Sequence, residues 1–191
     1  KVNQYETNGM IQKFIQAGYA IVPFTEIADI YIINTCTVTN MSDRKTRQYF
    51  RRAKKTNPKA IVVAVGCYVQ VKKEKLQEIP EIDLILGTNE KSNIVAYVEQ
   101  YLNQKSKNRV ITDVMKEKEF SEFGDVTYTE NARATIKIQD GCDRFCTYCI
   151  IPYARGRIRS RKQESIIEEI QELAQNGIKE VVITGIHIAS Y

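Results

Sequence analysis

The sequence predicts an α/β protein: a parallel sheet covered by helices on both faces, followed by the opening repeat of a second α/β unit. Three observations carry this. Short apolar runs alternate with helix-period segments through the first hundred residues. The runs 29–34 (DIYIIN) and 60–65 (AIVVAV) have β-branched residues on both faces, the mark of strands buried from both sides. Beyond residue 131 the order strand, loop, helix, strand recurs.

Taken in order, Met10, Ile11, Phe14 and Ile15 define one face of a first helix, which Gly18 ends. The strand 29–34 follows, then a polar, basic helix over 40–55 closed by Asn57-Pro58. The apolar strand 60–65 leads to a helix over 69–78, a short strand 84–86, and a helix striped by Ile94, Val98, Tyr101 and Leu102. Residues 104–131 are rich in Lys, Glu, Asp and Thr and read as a linker, with one edge strand in the weak alternation at 110–114. The second unit opens with the strand 134–139 (ATIKIQ) and a cysteine-rich loop. A helix with Ile166, Ile167, Ile170, Leu173 and Ala174 on one face ends at Gly177, and 179–184 (KEVVIT) forms the next strand. This βα repeat belongs to a barrel or an open sheet. It cannot bury a barrel core by itself, so the remainder is expected beyond Tyr191. The domain organisation read from the sequence is therefore 1–103, a linker 104–131, and an incomplete second domain from 132 to 191.

Composition narrows the function. At 191 residues and 43% hydrophobic content the chain can bury a core. No apolar run approaches the ~20 residues of a membrane span, and no signal-peptide pattern opens the chain. The net charge of +5 permits a phosphate-bearing partner without requiring one. There are five cysteines, Cys36, Cys67, Cys142, Cys146 and Cys149. The odd count argues against a fully paired disulfide scaffold, and three of them crowd into eight residues, which favours metal ligation in a reducing compartment.

The loop reads Gly141-Cys142-Asp143-Arg144-Phe145-Cys146-Thr147-Tyr148-Cys149, a C-x3-C-x2-C spacing directly after a strand. Thiolates are soft ligands suited to iron–sulfur clusters or zinc. Three can hold three corners of a cubic cluster and leave the fourth iron open to a cofactor or substrate. A structural zinc site normally needs four ligands, commonly in C-x2-C pairs, and the single histidine, His187, lies 38 residues beyond Cys149. A core of unligated thiols is at odds with the Asp, Arg, Thr and Tyr between them. The cluster reading therefore leads.

This loop, with Tyr148 immediately before its last cysteine, resembles the S-adenosylmethionine (SAM) signature of radical SAM enzymes. The similarity extends through Asn3-Gln4-Tyr5-Glu6-Thr7, Asn34-Thr35-Cys36-Thr37-Val38, Gly66-Cys67-Tyr68, Leu86-Gly87-Thr88 and Arg155-Gly156-Arg157-Ile158-Arg159-Ser160-Arg161. Together these resemble the methylthiotransferases, and the opening and closing segments are most similar to the subgroup acting on threonylcarbamoyladenosine. The resemblance implies a flavodoxin-like N-terminal domain followed by a radical SAM partial (β/α) barrel. It implies SAM and two 4Fe–4S clusters as cofactors. One cluster would sit on Cys142, Cys146 and Cys149, with Tyr148 and Arg155 on the SAM side. The other, an auxiliary cluster, would use Cys36, Cys67 and a third cysteine expected immediately before Lys1, so the chain reads as a fragment expected to be inactive by itself. The reaction implied is insertion of a methylthio group into a modified adenosine beside the tRNA anticodon. Partners implied are tRNA and an electron donor such as flavodoxin or ferredoxin, in the cytoplasm.

From position alone, Cys36 and Cys67 each follow a strand, where ligand sites of parallel sheets form, though inert buried thiols fit as well. Arg44, Arg47, Arg51 and Lys54 recur at helical steps and form a candidate RNA-phosphate stripe, against the plain alternative of a solvated face. Strand-like alternation would put Arg155, Arg157, Arg159 and Arg161 on one side, facing SAM or phosphate. His187 reads as a polar residue at the barrel mouth rather than a base. The competing function classes are a non-catalytic zinc-bound RNA-binding module, a methylthiotransferase acting on a ribosomal protein, and another radical SAM enzyme with an auxiliary cluster.

Overall fold

The computed structural model describes residues 1–36, 40–72, 74, 76, 78–104, 108–128 and 133–191, with backbone alone for 40–44 and 108. The chain divides into two compact units, one of Lys1–Tyr19 with Met115–Tyr191 and the other of Ala20–Val114.

The unit Ala20–Val114 is built on a four-stranded parallel sheet in the order β1-β2-β3-β4. The strands are β1 (Ile30–Thr35), β2 (Ile61–Gly66), β3 (Leu84–Leu86) and β4 (Asn108–Val110). Helix α2 (Asn40–Thr56) joins β1 to β2, and α3 (Cys67–Val71) starts directly at the end of β2. A short 3-10 turn, Asn89–Asn93, leads into α4 (Ile94–Gln104). In β2, Val62, Val63, Ala64 and Val65 are wholly buried, because apolar side chains on both faces let helices cover both. Val62 and Ala64 share a core with Phe50, Ala53, Tyr68, Val69 and Leu76.

Three details depart from the sequence reading. Strand β1 is at an edge and buries only alternate residues, so its apolar pattern on two faces does not make it a central strand. The expected edge strand is Asn108–Val110, two residues earlier than the alternation suggested, and it extends the sheet by pairing parallel with β3. The helix expected over 69–78 begins at Cys67 and its first stretch ends at Val71; residues 73, 75 and 77 lie outside the described ones.

The other unit opens with α1 (Val2–Gln16), whose helix packs on β5 (Ala134–Asp140). Its buried face comprises Tyr5, Glu6, Asn8, Gly9, Met10 and Phe14, while Ile15 is 46% exposed. The face is thus rotated from the apolar stripe toward polar residues. Strand β5 is central in the order β6-β5-β7, parallel to β7 (Val181–Gly185) and antiparallel to the two-residue β6 (Arg159–Ser160). Between them lie α5 (Ile151–Arg155) and α6 (Gln163–Gln175). Ile166 and Leu173 of α6 pack with Ala134, Ile136 and Ile138 of β5, whereas Ile167 is 45% exposed. The observed α/β architecture, with its parallel four-stranded sheet, is the predicted class. No helix among the described residues is long and apolar enough to cross a membrane.

Candidate functional site

The cysteine loop leaves the end of β5, where Gly141 takes a left-handed φ of 74°. A Cβ there would lie 1.9 Å from the Arg157 carbonyl oxygen, so the outgoing and returning strands of the loop touch at a position only glycine allows. Beside this contact the Cys142 N–H donates to the Gly156 carbonyl at 3.1 Å. The loop is therefore closed at its neck by backbone. Further out, Phe145 has φ 44° and the Cys149 N–H donates to the Cys146 carbonyl at 2.9 Å, turning the chain tightly between the last two thiols. Phe145 meets Tyr153 edge-on at 5.9 Å, and Arg157 lies over its ring at 5.7 Å.

All five cysteines are free thiols. Cys146 is exposed and Cys142 and Cys149 are half-buried. Among the described residues no three His, Cys, Asp or Glu side chains already stand together at ligand distance. The donor set nonetheless fits an iron–sulfur cluster in its chemistry: three unpaired soft ligands lie within eight residues, on an accessible loop whose neck is fixed. Tyr148 is 91% exposed, next to Cys149.

Beneath the neck lies a group of charges that the sequence reading did not single out. Lys137 Nζ lies 3.0 Å from Glu6 Oε1 and 3.0 Å from Asp140 Oδ2. Arg155 Nη1 donates to Glu6 Oε1 at 2.8 Å and to Asp140 Oδ1 at 3.1 Å, and its Nη2 to Asn3 Oδ1 at 3.1 Å. Asp140 Oδ1 also accepts from the Gly141 N–H at 2.9 Å. Burial would raise the Asp140 pKa, but Lys137 and Arg155 outweigh it and hold the carboxyl down at about 2. One sequence signal pointed here: Lys137 stands between Ile136 and Ile138 in a strand, and a buried lysine demands carboxylate partners.

A second buried group ties α1 to α6. Arg161 pairs with Glu169, Tyr5 Oη donates to Glu169 Oε2 at 3.2 Å, and Ser165 Oγ receives Arg161 Nη2 at 2.8 Å. Burial pushes the Glu169 carboxyl up, opposed by Arg161 and the Tyr5 hydroxyl, and it pushes the Tyr5 phenol up more strongly. The segment Asn3-Gln4-Tyr5-Glu6-Thr7 thus supplies Asn3, Tyr5 and Glu6 to these two buried groups.

The arginines after the loop do not share one side. Arg155 ends a helix and is buried, Arg159 and Arg161 are buried, and only Arg157 is largely exposed, 3.6 Å from Asp143. The expected alternation fails because α5 takes up Arg155 and β6 is only two residues long. Arg155, expected on the SAM side, has its guanidinium among Glu6, Asp140 and Asn3. His187 uses its backbone N–H on Gln139 Oε1 at 2.7 Å, while its ring Nδ1 lies 2.5 Å from Ser190 Oγ.

In the other unit, Thr35 of β1 pairs in register with Gly66 of β2. Cys36 and Cys67 each follow one residue later, so both leave the carboxyl edge of neighbouring parallel strands about 4.8 Å apart. Cys67 is buried and Cys36 half-buried. Thr37 and Val38 of the same segment lie outside the described residues. On α2, Arg47 is exposed, and Arg51 is exposed with a distant Glu81 partner at 3.8 Å. Lys54 is turned inward, donating to Asp83 Oδ2 and to the Ala60 carbonyl, each at 2.7 Å. The Arg44 side chain lies outside what is described.

Comparison with known proteins finds two family matches along the chain. Residues 1–87 match the family described as uncharacterized protein family UPF0004, and residues 136–191 match the radical SAM superfamily. Over all 191 residues the chain is 47% identical to a threonylcarbamoyladenosine tRNA methylthiotransferase MtaB of Aquifex aeolicus, covering 47% of that protein. It is 42% identical to the protein of the same name in Bacillus subtilis, covering 42% of it. Over 168 residues, 86% of the chain, it is 39% identical to a ribosomal protein uS12 methylthiotransferase RimO of Clostridium novyi, covering 37% of that protein. The chain spans about half the length of the curated relatives it matches.

Proposed function

We propose that this chain belongs to the methylthiotransferase family of radical SAM enzymes and that its parent protein inserts a methylthio group into threonylcarbamoyladenosine beside the tRNA anticodon. The observation that carries the reading is the backbone-closed loop presenting Cys142, Cys146 and Cys149 as free thiols after a central strand. These three residues would hold a 4Fe–4S cluster, with Tyr148 on the side where SAM is bound. When bound, that cluster supplies the electron for reductive cleavage of SAM. The chain's own part is to hold and orient three thiol side chains and to keep one face of the loop accessible.

The in-register exit of Cys36 and Cys67 supports a second, auxiliary cluster in the unit Ala20–Val114, completed by a third ligand from outside the chain. By function we divide the sequence into an auxiliary-cluster region 1–103, a linker 104–131 and the radical SAM region from 132, with α1 joined structurally to the last of these. A flavodoxin- or ferredoxin-like donor would supply electrons, and the cytoplasm, where thiols stay reduced and tRNA is modified, is the compartment this chemistry suits. Arg47 and Arg51, exposed on the basic helix, would contact RNA phosphate.

The test is made on the full-length protein purified without oxygen. It should carry iron and sulfide and form 5′-deoxyadenosine from SAM under reduction. Replacing Cys142, Cys146 or Cys149 singly by Ala should abolish that product. A colourless protein containing zinc, or wild-type cleavage in any of the three variants, overturns the proposal.

A further inference from the structure

We infer that Glu6, on the first helix, is a positioning residue for the cysteine loop, acting through Arg155 and Lys137 on Asp140; this rests on the cluster reading above. The loop has two ends. The outgoing end is Asp140-Gly141, where the Asp140 carboxylate accepts the Gly141 N–H at 2.9 Å. The returning end is Arg155-Gly156, where the Gly156 carbonyl accepts the Cys142 N–H at 3.1 Å. The Arg155 guanidinium reaches from the returning end to the Asp140 carboxylate of the outgoing end, at 3.1 and 3.2 Å. Both ends are thus fastened to each other through one ion pair, and the neck that fixes Cys142 lies directly above it.

That ion pair is one half of a group of four. Glu6 closes the square, 2.8 Å from Arg155 and 3.0 Å from Lys137, and it comes from a helix more than a hundred residues away in sequence. The four side chains are 1% to 7% exposed, and two cations face two anions. Without Glu6 two buried cations would face one carboxylate, and Arg155 would lose the acceptor that fixes its fork. Buried ion groups are a weak source of net stability, since apolar packing of the same volume often does as well. What a guanidinium fork between two carboxylates contributes is orientation: two parallel bonds fix its plane and, through it, the carboxylate it bridges. The bonds of the square reach the loop at Asp140 and Arg155, so their effect passes through the backbone of the neck, as outer-shell partners act on metal ligands.

The experiment compares Glu6→Gln with Tyr5→Phe in the full-length reconstituted protein. Tyr5 lies on the same helix but belongs to the Arg161–Glu169 group, so Tyr5→Phe loosens α1 without touching Asp140. Circular dichroism first establishes that both variants are folded at the working temperature. Glu6→Gln should alter the electron paramagnetic resonance line shape of the reduced cluster and speed iron loss to a chelator by about 10- to 100-fold. Tyr5→Phe should leave both at wild-type values. If Glu6→Gln does not fold, Asn3→Ala, which removes one acceptor from Arg155, is read in its place. A wild-type line shape and chelation rate in the folded variant overturn the inference while leaving the cluster reading intact. A wild-type protein with no iron–sulfur signal overturns both.

Discussion

Replacing Gly141 by Ala tests whether the neck of the cysteine loop is as tight as the structure has it. The added Cβ would stand 1.9 Å from the Arg157 oxygen, 2.5 Å from the Arg157 carbonyl carbon and 2.7 Å from the Gly156 oxygen. All of these are backbone atoms, so no side chain can swing away, and the returning strand must retreat by more than about 1 Å. Overpacking of this kind costs about 1–3 kcal/mol. The left-handed φ of 74° adds about 1–2 kcal/mol for any residue with a Cβ. Losing the Cys142–Gly156 hydrogen bond adds about 0.5–1.5 kcal/mol. The sum is about 2.5–6.5 kcal/mol, a large fraction of a domain's stability. Gly177 provides the internal control. It has a similar φ of 84° but nothing within 4 Å of a Cβ, so Gly177→Ala should cost only about 1–2 kcal/mol. Hydrogen exchange of β5 and α6 amides measures the stability of the unit that holds both glycines. Gly141→Ala should cost about 1.5–4.5 kcal/mol more than Gly177→Ala and should lower bound iron after reconstitution. Equal costs, within about 0.5 kcal/mol, would refute the close approach at the neck.

Other outcomes follow from the same geometry. A full-length Cys36→Ala, Cys67→Ala variant should keep SAM cleavage but hold roughly half the wild-type iron, since one of two similar clusters is lost; unchanged iron content would exclude an auxiliary site there. Lys54→Ala should destabilise the unit Ala20–Val114 by about 1–3 kcal/mol, because it removes a charged donor from Asp83 and the Ala60 carbonyl. Arg47→Glu with Arg51→Glu should cost little stability but weaken tRNA binding and flatten its salt dependence, so wild-type affinity and slope across a salt series would reduce that face to a solvated surface. The Asp140 carboxyl, held at about 2 against an ordinary 3.8, contributes about 2–3 kcal/mol. That contribution is fully present above about pH 4 and is lost as pH falls through about 2. Unfolding followed between pH 5 and 2 should therefore show a shallower acid limb in Asp140→Asn, and a limb as steep as wild type would mean the ion group is not formed.

By itself the sequence determined what depends on local pattern. Apolar runs such as 61–65 and the helix-period stripe of 163–175 settle into strand and helix wherever they pack, so the α/β class and most element positions followed from composition along the chain. The spacing of Cys142, Cys146 and Cys149, three thiols within eight residues, likewise marked a candidate ligand loop. Tertiary structure decided what depends on partners distant in sequence. The local alternation put an edge strand at 110–114, but only pairing with β3 sets it at Asn108–Val110, because β3 supplies the hydrogen bonds. Nothing local separates Lys54 from Arg47, since both read as basic positions on one helix, and only Asp83 and the Ala60 carbonyl turn Lys54 inward. The same holds for Glu6, met only as part of a motif, and Arg155, expected beside SAM, until the fold brings 149 residues of separation down to 2.8 Å. Burial makes that pairing obligatory, because an ion removed from water must find its counter-ion within the fold, and the choice of counter-ion is a property of the packed structure.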